Sequence, residues 1–129
     1  MARAWLAGAA VLLLGACGIW DPPPEQTPWR ALDPTALAAA LGSGTDPIGA
    51  MTSVTDMSGA QMVFVAAVHI GPEGTPPLRI TLTRVDLLDD AVERDVVEAV
   101  LTRDAAGWRV RSLTTRATCR RGLAGALCR

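Results

Sequence analysis

Few side chains in this sequence could carry out acid–base or nucleophilic chemistry, and their spacing matches no catalytic motif. His69 is the only histidine, so a catalytic triad would have to use it. Its place beside Ile70, at the end of an apolar run, is typical of a structural or surface histidine. No serine stands in the Gly-x-Ser-x-Gly turn that exposes a nucleophile, which holds for Ser43, Ser53, Ser58 and Ser112. The sequence therefore predicts a protein without enzymatic activity.

A run of carboxylates is the second candidate for chemistry. Its members are Asp86, Asp89, Asp90, Glu93 and Asp95. A pair of them could exchange protons or bind calcium, but their spacing does not match the calcium loop between two helices. The run is typical of a solvated acidic turn. Glycine-rich phosphate loops, zinc-ligand spacings and cofactor motifs are absent from the sequence, so we predict no cofactor and no metal.

The amino-terminal end has the layout of a secretory signal peptide. Arg3 precedes an apolar run over residues 4–14, which is shorter than the roughly 20 residues that span a bilayer. The run ends in Leu14-Gly15-Ala16-Cys17, a lipobox. On these residues the chain resembles bacterial lipoproteins, whose peptidase cuts before the cysteine. The resemblance implies a mature chain that begins at Cys17 and is held on a membrane by acyl chains there.

The same resemblance implies a place in the cell. The chain would be exported to the bacterial cell envelope, with its folded part facing the periplasm. Gly18, rather than Asp, follows the cysteine. By the sorting rule of some bacterial lipoproteins, this favours the outer membrane. The alternative is an ordinary secretory signal in which Cys17 is incidental.

Two further cysteines lie near the carboxyl end. If Cys17 carries lipid, Cys119 and Cys128 remain as a pair in an oxidising compartment, which predicts a disulfide. Closing this short loop would stabilise the fold by roughly 2.7 kcal/mol in the loop-entropy model. Free thiols are one alternative. A two-cysteine metal site is another, but it would need further ligands.

The carboxyl-terminal fifth of the chain is rich in arginine. After Asp104 there are six arginines and no acid. Arginine suits bidentate recognition of phosphate and carboxylate. The candidate binding residues for an anionic envelope component or an acidic partner are therefore Arg109, Arg111, Arg120 and Arg121. In the alternative interpretation, these side chains form a solvated face that the acidic turn balances.

Length and composition favour one small domain. Removal of residues 1–16 from the 129-residue chain leaves 113 residues, the size of a single domain. We predict a lipidated, Pro-rich tether over residues 17–31 and one globular domain over residues 32–129. Trp29 is expected to dock on that domain. The net charge of −1 argues against nucleic acid as a partner.

One helix is well signalled at the start of the domain. Asp33 is a good N-cap, and Pro34 suits the first helical position. The Ala- and Leu-rich stretch over residues 35–41 is predicted to be helical. Residues 43–61 are predicted to be irregular, with one turn near Pro47.

Strands are predicted after residue 61. The continuous apolar run over residues 62–70 predicts a central strand covered on both faces. Residues 78–88 alternate as a half-buried strand does. Residues 89–103 fit a helix or a strand; their β-branched content and the hairpin turn before Trp108 favour a strand. The predicted fold is α+β, with the helix packed on a four-stranded antiparallel meander and a C-terminal disulfide loop.

These observations favour a non-catalytic, membrane-anchored envelope lipoprotein that acts as a partner-binding or structural module. The alternative is a small-ligand-binding module with a pocket between helix and sheet, lined by residues such as Phe64 and Trp108. An enzyme would need His69 in a cleft beside an acid.

Overall fold

The computed structural model describes residues 22–129, which form an α+β domain. An antiparallel sheet of five strands has the order β1-β5-β4-β3-β2. A two-stranded hairpin, β6-β7, follows it. The elements in chain order are β1 (Arg30–Ala31), α1 (Thr35–Gly42), α2 (Pro47–Val54), β2 (Ala60–His69), β3 (Leu78–Leu87), β4 (Val92–Asp104), β5 (Gly107–Cys119), β6 (Leu123–Ala124) and β7 (Leu127–Cys128).

The predicted fold class is confirmed, and its details need correction. Strands β2 to β5 form the predicted meander, and residues 92–104 are a strand as expected. The sheet has a fifth strand, β1, and a second helix, α2, accompanies α1. The missed helix lies in residues 43–61, which we predicted to be irregular. Its signals were Asp46 as N-cap and Pro47 at the first helical position.

Local hydrogen bonds start both helices. The N-cap of α1 is Pro34 rather than the predicted Asp33, because the Pro34 carbonyl accepts from Ala38 N–H at 2.9 Å. One residue earlier, Asp33 Oδ1 accepts from the backbone N–H of Thr35 at 2.9 Å. Asp46 Oδ1 accepts from Gly49 N–H, also at 2.9 Å, at the start of α2. Each helix has eight residues, a length at which helices need tertiary packing to be stable.

That packing forms the core on one face of the sheet. The largest fully buried side chains come from both helices and from two central strands: Leu37, Met51, Ile80, Leu82 and Leu101. Helix α1 packs against β5, and α2 packs against β3. The alternation in β3 is thereby explained, because the inward residues of this strand meet the helices while the intervening residues face away.

The segment before α1 runs along β5 rather than standing free of the domain. Arg30 and Ala31 pair with Thr115 and Thr114. Further upstream, Thr27 N–H donates to the carbonyl of Ala117 at 2.8 Å. Residues 25–31 of the predicted tether therefore run along the edge of the sheet. Trp29 lies under the guanidinium of Arg116, whose Cζ is 4.5 Å from the ring centroid.

The predicted lipobox and Cys17 lie outside the described residues. Within residues 22–129, every helix is too short or too polar to cross a bilayer. The anchoring prediction thus depends on the sequence signal alone.

Loss of the α2 cap gives a direct test of this local structure. We expect Asp46→Ala to lower the free energy of unfolding by about 1 kcal/mol, since Gly49 N–H loses its acceptor. Urea unfolding of the purified protein measures the change. Asp46→Asn keeps an acceptor oxygen and should retain most of the stability. An alanine variant as stable as the wild type would contradict the capping role.

Candidate functional site

β2 lies at an open edge of the sheet. In the described chain it pairs with β3 alone. Its large apolar side chains remain exposed, with relative accessibilities of 50% for Met62, 56% for Phe64 and 58% for Val68. The prediction that residues 62–70 form a central strand covered on both faces is therefore wrong.

The helices leave β2 uncovered because they sit over the middle of the sheet. From β2, Val63 is the residue that packs against the core, and it is only partly buried. Val65 and Ile70 are 38% and 41% exposed. A continuous apolar run looks the same in sequence whether or not another layer covers it. We refer to residues 62–70 as the apolar edge.

The register with β3 assigns the side chains of the apolar edge to two faces. Val65 lies opposite Leu82, and therefore points to the helix-covered face. Phe64 lies opposite Thr83 and points to the open face. Both faces of the strand present apolar groups to solvent, so an incoming strand would meet apolar contacts on each side.

Among the described residues, the backbone of the apolar edge is also unpaired on the side away from β3. The N–H of Ile70 donates to the Pro77 carbonyl of the neighbouring chain segment at 2.8 Å. In an antiparallel ladder, alternate residues bond to the same neighbour. The outward-facing N–H and C=O groups therefore belong to the odd-numbered residues Val63, Val65, Ala67 and His69.

Native proteins usually protect such edges with charges, prolines or bulges. No Asp, Glu or Arg occurs between Asp56 and Glu73. The run from residue 62 to residue 70 contains no proline, and its register with β3 is unbroken from Met62 to His69. An unprotected edge of this length is typical of a strand that pairs with another chain.

The four predicted arginines do not form one site. Arg109 lies near the start of β5 and is paired with Asp104, whose pKa is lowered by the hydrogen bond from that arginine. Arg111 is at a bulge, between the paired residues Val110 and Ser112. At about 3.3 Å per residue, these two lie roughly 30 Å from the far end of the strand.

The other two arginines lie at that far end, on the disulfide loop. Arg120 donates to the Leu87 carbonyl at 3.5 Å, and Arg121 donates to the Asp90 carbonyl at 3.3 Å. They therefore contact the turn between β3 and β4, which carries part of the predicted acidic run. Anion binding by the four arginines stays a prediction, now divided between two separate surfaces.

The predicted disulfide is confirmed. Cys119 and Cys128 are joined with an S–S distance of 2.06 Å, and they link the end of β5 to β7. Glu25 also holds the β6-β7 hairpin in place, because its carboxylate accepts a hydrogen bond from the N–H of Leu123. Its own carbonyl accepts from Cys119 N–H at 2.8 Å. The hairpin is thus fixed both to the sheet and to the entering chain.

Two depressions lie on the helix side of the sheet and share one residue, Arg84. A groove of about 590 Å³ lies between the entering chain, the β3–β4 turn and the C-terminal hairpin. A pocket of about 310 Å³ lies between the helices and the sheet, lined by Leu32, Met51, Val54 and Leu113 among others.

Arg84 is held firmly between these depressions. Its Nε donates to Asp95 Oδ1 at 2.8 Å, its Nη2 pairs with Asp95 Oδ2, and its Nη1 donates to the Asp56 carbonyl. The hydrogen bonds that Arg84 donates to the Asp95 carboxylate are the main cause that raises the pKa of Arg84. Because this guanidinium is already bonded to Asp95 and to the Asp56 carbonyl, it lines the two depressions but is not free to bind an anion.

The two residues predicted to line a common pocket are on opposite faces. Phe64 is on the open face. Trp108 lines a separate depression of about 440 Å³ beside α1, with Pro34, Ala38 and Gly42. The predicted pocket between helix and sheet therefore does not contain both aromatic rings.

His69 has an aromatic neighbour. Its ring stacks on that of Trp108, with centroids 6.4 Å apart. Arg103 approaches the same indole, at 5.3 Å from the ring centroid. Among residues 22–129, no three His, Cys, Asp or Glu side chains are grouped so as to hold a metal ion.

Comparison of the chain with protein-family models, with curated proteins and with solved structures finds no match. The function therefore has to be inferred from the sequence signals, the apolar edge and the depressions around Arg84.

The partly buried ion pair between Arg84 and Asp95 should contribute to the free energy of unfolding. We expect Arg84→Met to lower the free energy of unfolding by about 2 kcal/mol, because Asp95 loses its charged partner in a partly buried setting. Arg79→Met is the matched control. Arg79 pairs with Glu98 at 3.7 Å on the exposed face, and its loss should cost less than about 0.5 kcal/mol. Equal effects of the two substitutions in chemical denaturation would contradict this assignment.

Proposed function

We propose that this protein is a non-catalytic bacterial envelope lipoprotein, anchored through acyl chains on Cys17, whose domain binds a protein partner along the apolar edge. The observation that carries the proposal is the apolar edge: a long, uncharged strand whose outward backbone groups are open along one side and whose apolar side chains are exposed on both faces of the sheet. The lipobox resemblance supports the anchor, and Gly18 favours the outer membrane.

A protein partner suits the apolar edge better than a lipid bilayer does. Apolar exposure alone would be compatible with membrane insertion. However, the unpaired N–H and C=O groups of an open strand edge find no partners in hydrocarbon, at a cost of several kcal/mol each. A strand from a protein supplies both the missing hydrogen bonds and apolar side chains, which is the mode known as β-strand addition.

The position of the segment before α1 leaves the apolar edge accessible. The segment before α1 joins the sheet at β1, and the apolar edge is at the opposite side of the sheet. With neighbouring strands about 4.8 Å apart, the two edges are separated by roughly 19 Å. Pro22, Pro23 and Pro24 form a stiff spacer on the amino-terminal side. An anchor at Cys17 would therefore hold the domain by the edge that is already covered.

A small-ligand module is the second candidate, favoured by the pocket between the helices and the sheet. Its apolar lining from Leu32, Met51 and Val54 suits a small apolar ligand. An anionic envelope component at Arg109 and Arg111, or at Arg120 and Arg121, would add a further contact. Nucleic acid is not among the proposed partners, because the net charge of the chain is −1.

Acylation of Cys17 is tested by metabolic labelling. Cells that produce the wild-type chain and take up an alkyne-tagged palmitate should yield a labelled protein, and Cys17→Ser should abolish the label. The Cys119→Ser, Cys128→Ser double variant is the matched control and should keep the label. Labelling that survives Cys17→Ser would contradict the anchor.

Partner binding is tested by photo-cross-linking from the apolar edge. With p-benzoylphenylalanine in place of Phe64, irradiation of whole cells should give discrete protein adducts. Leu88 is the matched control position, since it is also apolar and is 82% exposed, but lies on the β3–β4 turn. Adducts of equal yield and pattern from both positions would contradict a specific surface at β2.

A further inference from the structure

We propose that the partner at the apolar edge is a second copy of this chain. In this dimer the two β2 strands pair antiparallel about a two-fold axis at Ala66, which joins two five-stranded sheets into one of ten strands. The inference rests on the proposed partner-binding function and names the partner.

The backbone groups at the open edge fit this register. A two-fold axis at Ala66 places Val63 opposite His69 of the other copy, and Val65 opposite Ala67. These are the residues whose N–H and C=O groups face outward. Each such pair exchanges two hydrogen bonds, so the complete register forms about eight across the axis. The whole unprotected run from Met62 to Ile70 is used, because Ala66 is its central residue.

The side chains are also self-complementary in this register. On the open face, Phe64 meets Val68 of the other copy, and Met62 meets Ile70. The small Ala66 meets its own symmetry mate, which leaves the backbones free to approach at the axis. Pairs of aromatic and β-branched residues across neighbouring strands are favourable.

Charge favours a second copy over a charged partner. Two-fold symmetry places any charged residue near the axis close to its own copy, and like charges directly opposite destabilise a strand pair. The absence of Asp, Glu and Arg between Asp56 and Glu73 removes this repulsion. It also leaves the edge without a charge that would select an acidic or basic strand.

The surface area that this strand pairing could bury is that of a small interface. Five apolar side chains of the edge are 38% to 58% exposed. Pairing would bury at most roughly 1,000 Å² summed over the two copies, which is the size of a weak or transient interface. Copies held on one membrane surface by Cys17 have a raised effective concentration, which strengthens a weak contact without new interactions.

Cysteine cross-linking at the axis tests the register. Ala66 faces itself as a non-hydrogen-bonded pair, with a Cα–Cα distance of about 4.5 Å that permits a disulfide. Full-length Ala66→Cys, produced in the native envelope, should migrate as a dimer on a non-reducing gel and as a monomer after reduction. Ala105→Cys is the matched control: Ala105 is exposed on the β4–β5 turn and should give monomer.

Substitution of Ala66 by a positively or a negatively charged residue supplies an independent test. Ala66→Arg and Ala66→Glu, each purified as the detergent-solubilised lipoprotein, should weaken self-association by about tenfold or more in sedimentation, through like charges at the axis. Mixing the two variants should restore the dimer. The exposed position of Ala66 makes both substitutions compatible with folding, which urea unfolding checks.

The outcomes separate the two proposals. Monomeric wild-type lipoprotein without an Ala66→Cys cross-link overturns the dimer. If adducts from position 64 to another protein persist in that case, the partner-binding function stands and only its partner was wrong. If adducts are absent or involve lipid alone, both proposals fail. A dimer whose association is unaffected by charge at position 66 overturns the register.

Discussion

The structure depends on the way two short helices cover a wider sheet. Each helix has eight residues, and the sheet has five strands. Helix α1 packs against β5 and α2 against β3, so Leu37 and Met51 share one core cluster with Leu82. This burial fixes the inner strands and leaves β2 uncovered by the helices that the structure describes.

The two edges of the sheet differ as a result. At one edge, the entering chain forms β1, Trp29 stacks with Arg116, and the disulfide hairpin closes the end of β5. At the other edge, β2 has no neighbour beyond β3 among residues 22–129, and it contains no Asp, Glu or Arg. Within the described part of the chain, one edge of the sheet is thus paired and the other is open.

Local signals in the sequence predicted much of this arrangement, and non-local packing accounts for the errors. The alternation in residues 78–88 is a local signal, and it predicted β3 to within one residue. The N-cap of α1 was predicted one residue too early, at Asp33, because Pro34 accepts the first intrahelical hydrogen bond, from Ala38 N–H. The position of β2 was missed because apolar composition does not report whether a covering layer exists. Its place as the first strand of a meander was the available signal, since such a strand is an edge unless a further strand pairs with it. Arg109 and Arg120 are close in sequence, but extended backbone separates them.

The pairing of the entering chain with β5 has a mechanical consequence. The backbone bonds of Glu25, Thr27 and Leu32 to β5 lie in sequence along the strand. A pull on the amino-terminal end would load them one after another, so residues 25–31 would separate from β5 before Leu32, which packs against the core. About seven residues would be released, which lengthens the connection by roughly 23 Å at about 3.3 Å per residue. The domain would then yield under tension at its covered edge while its open edge kept its shape.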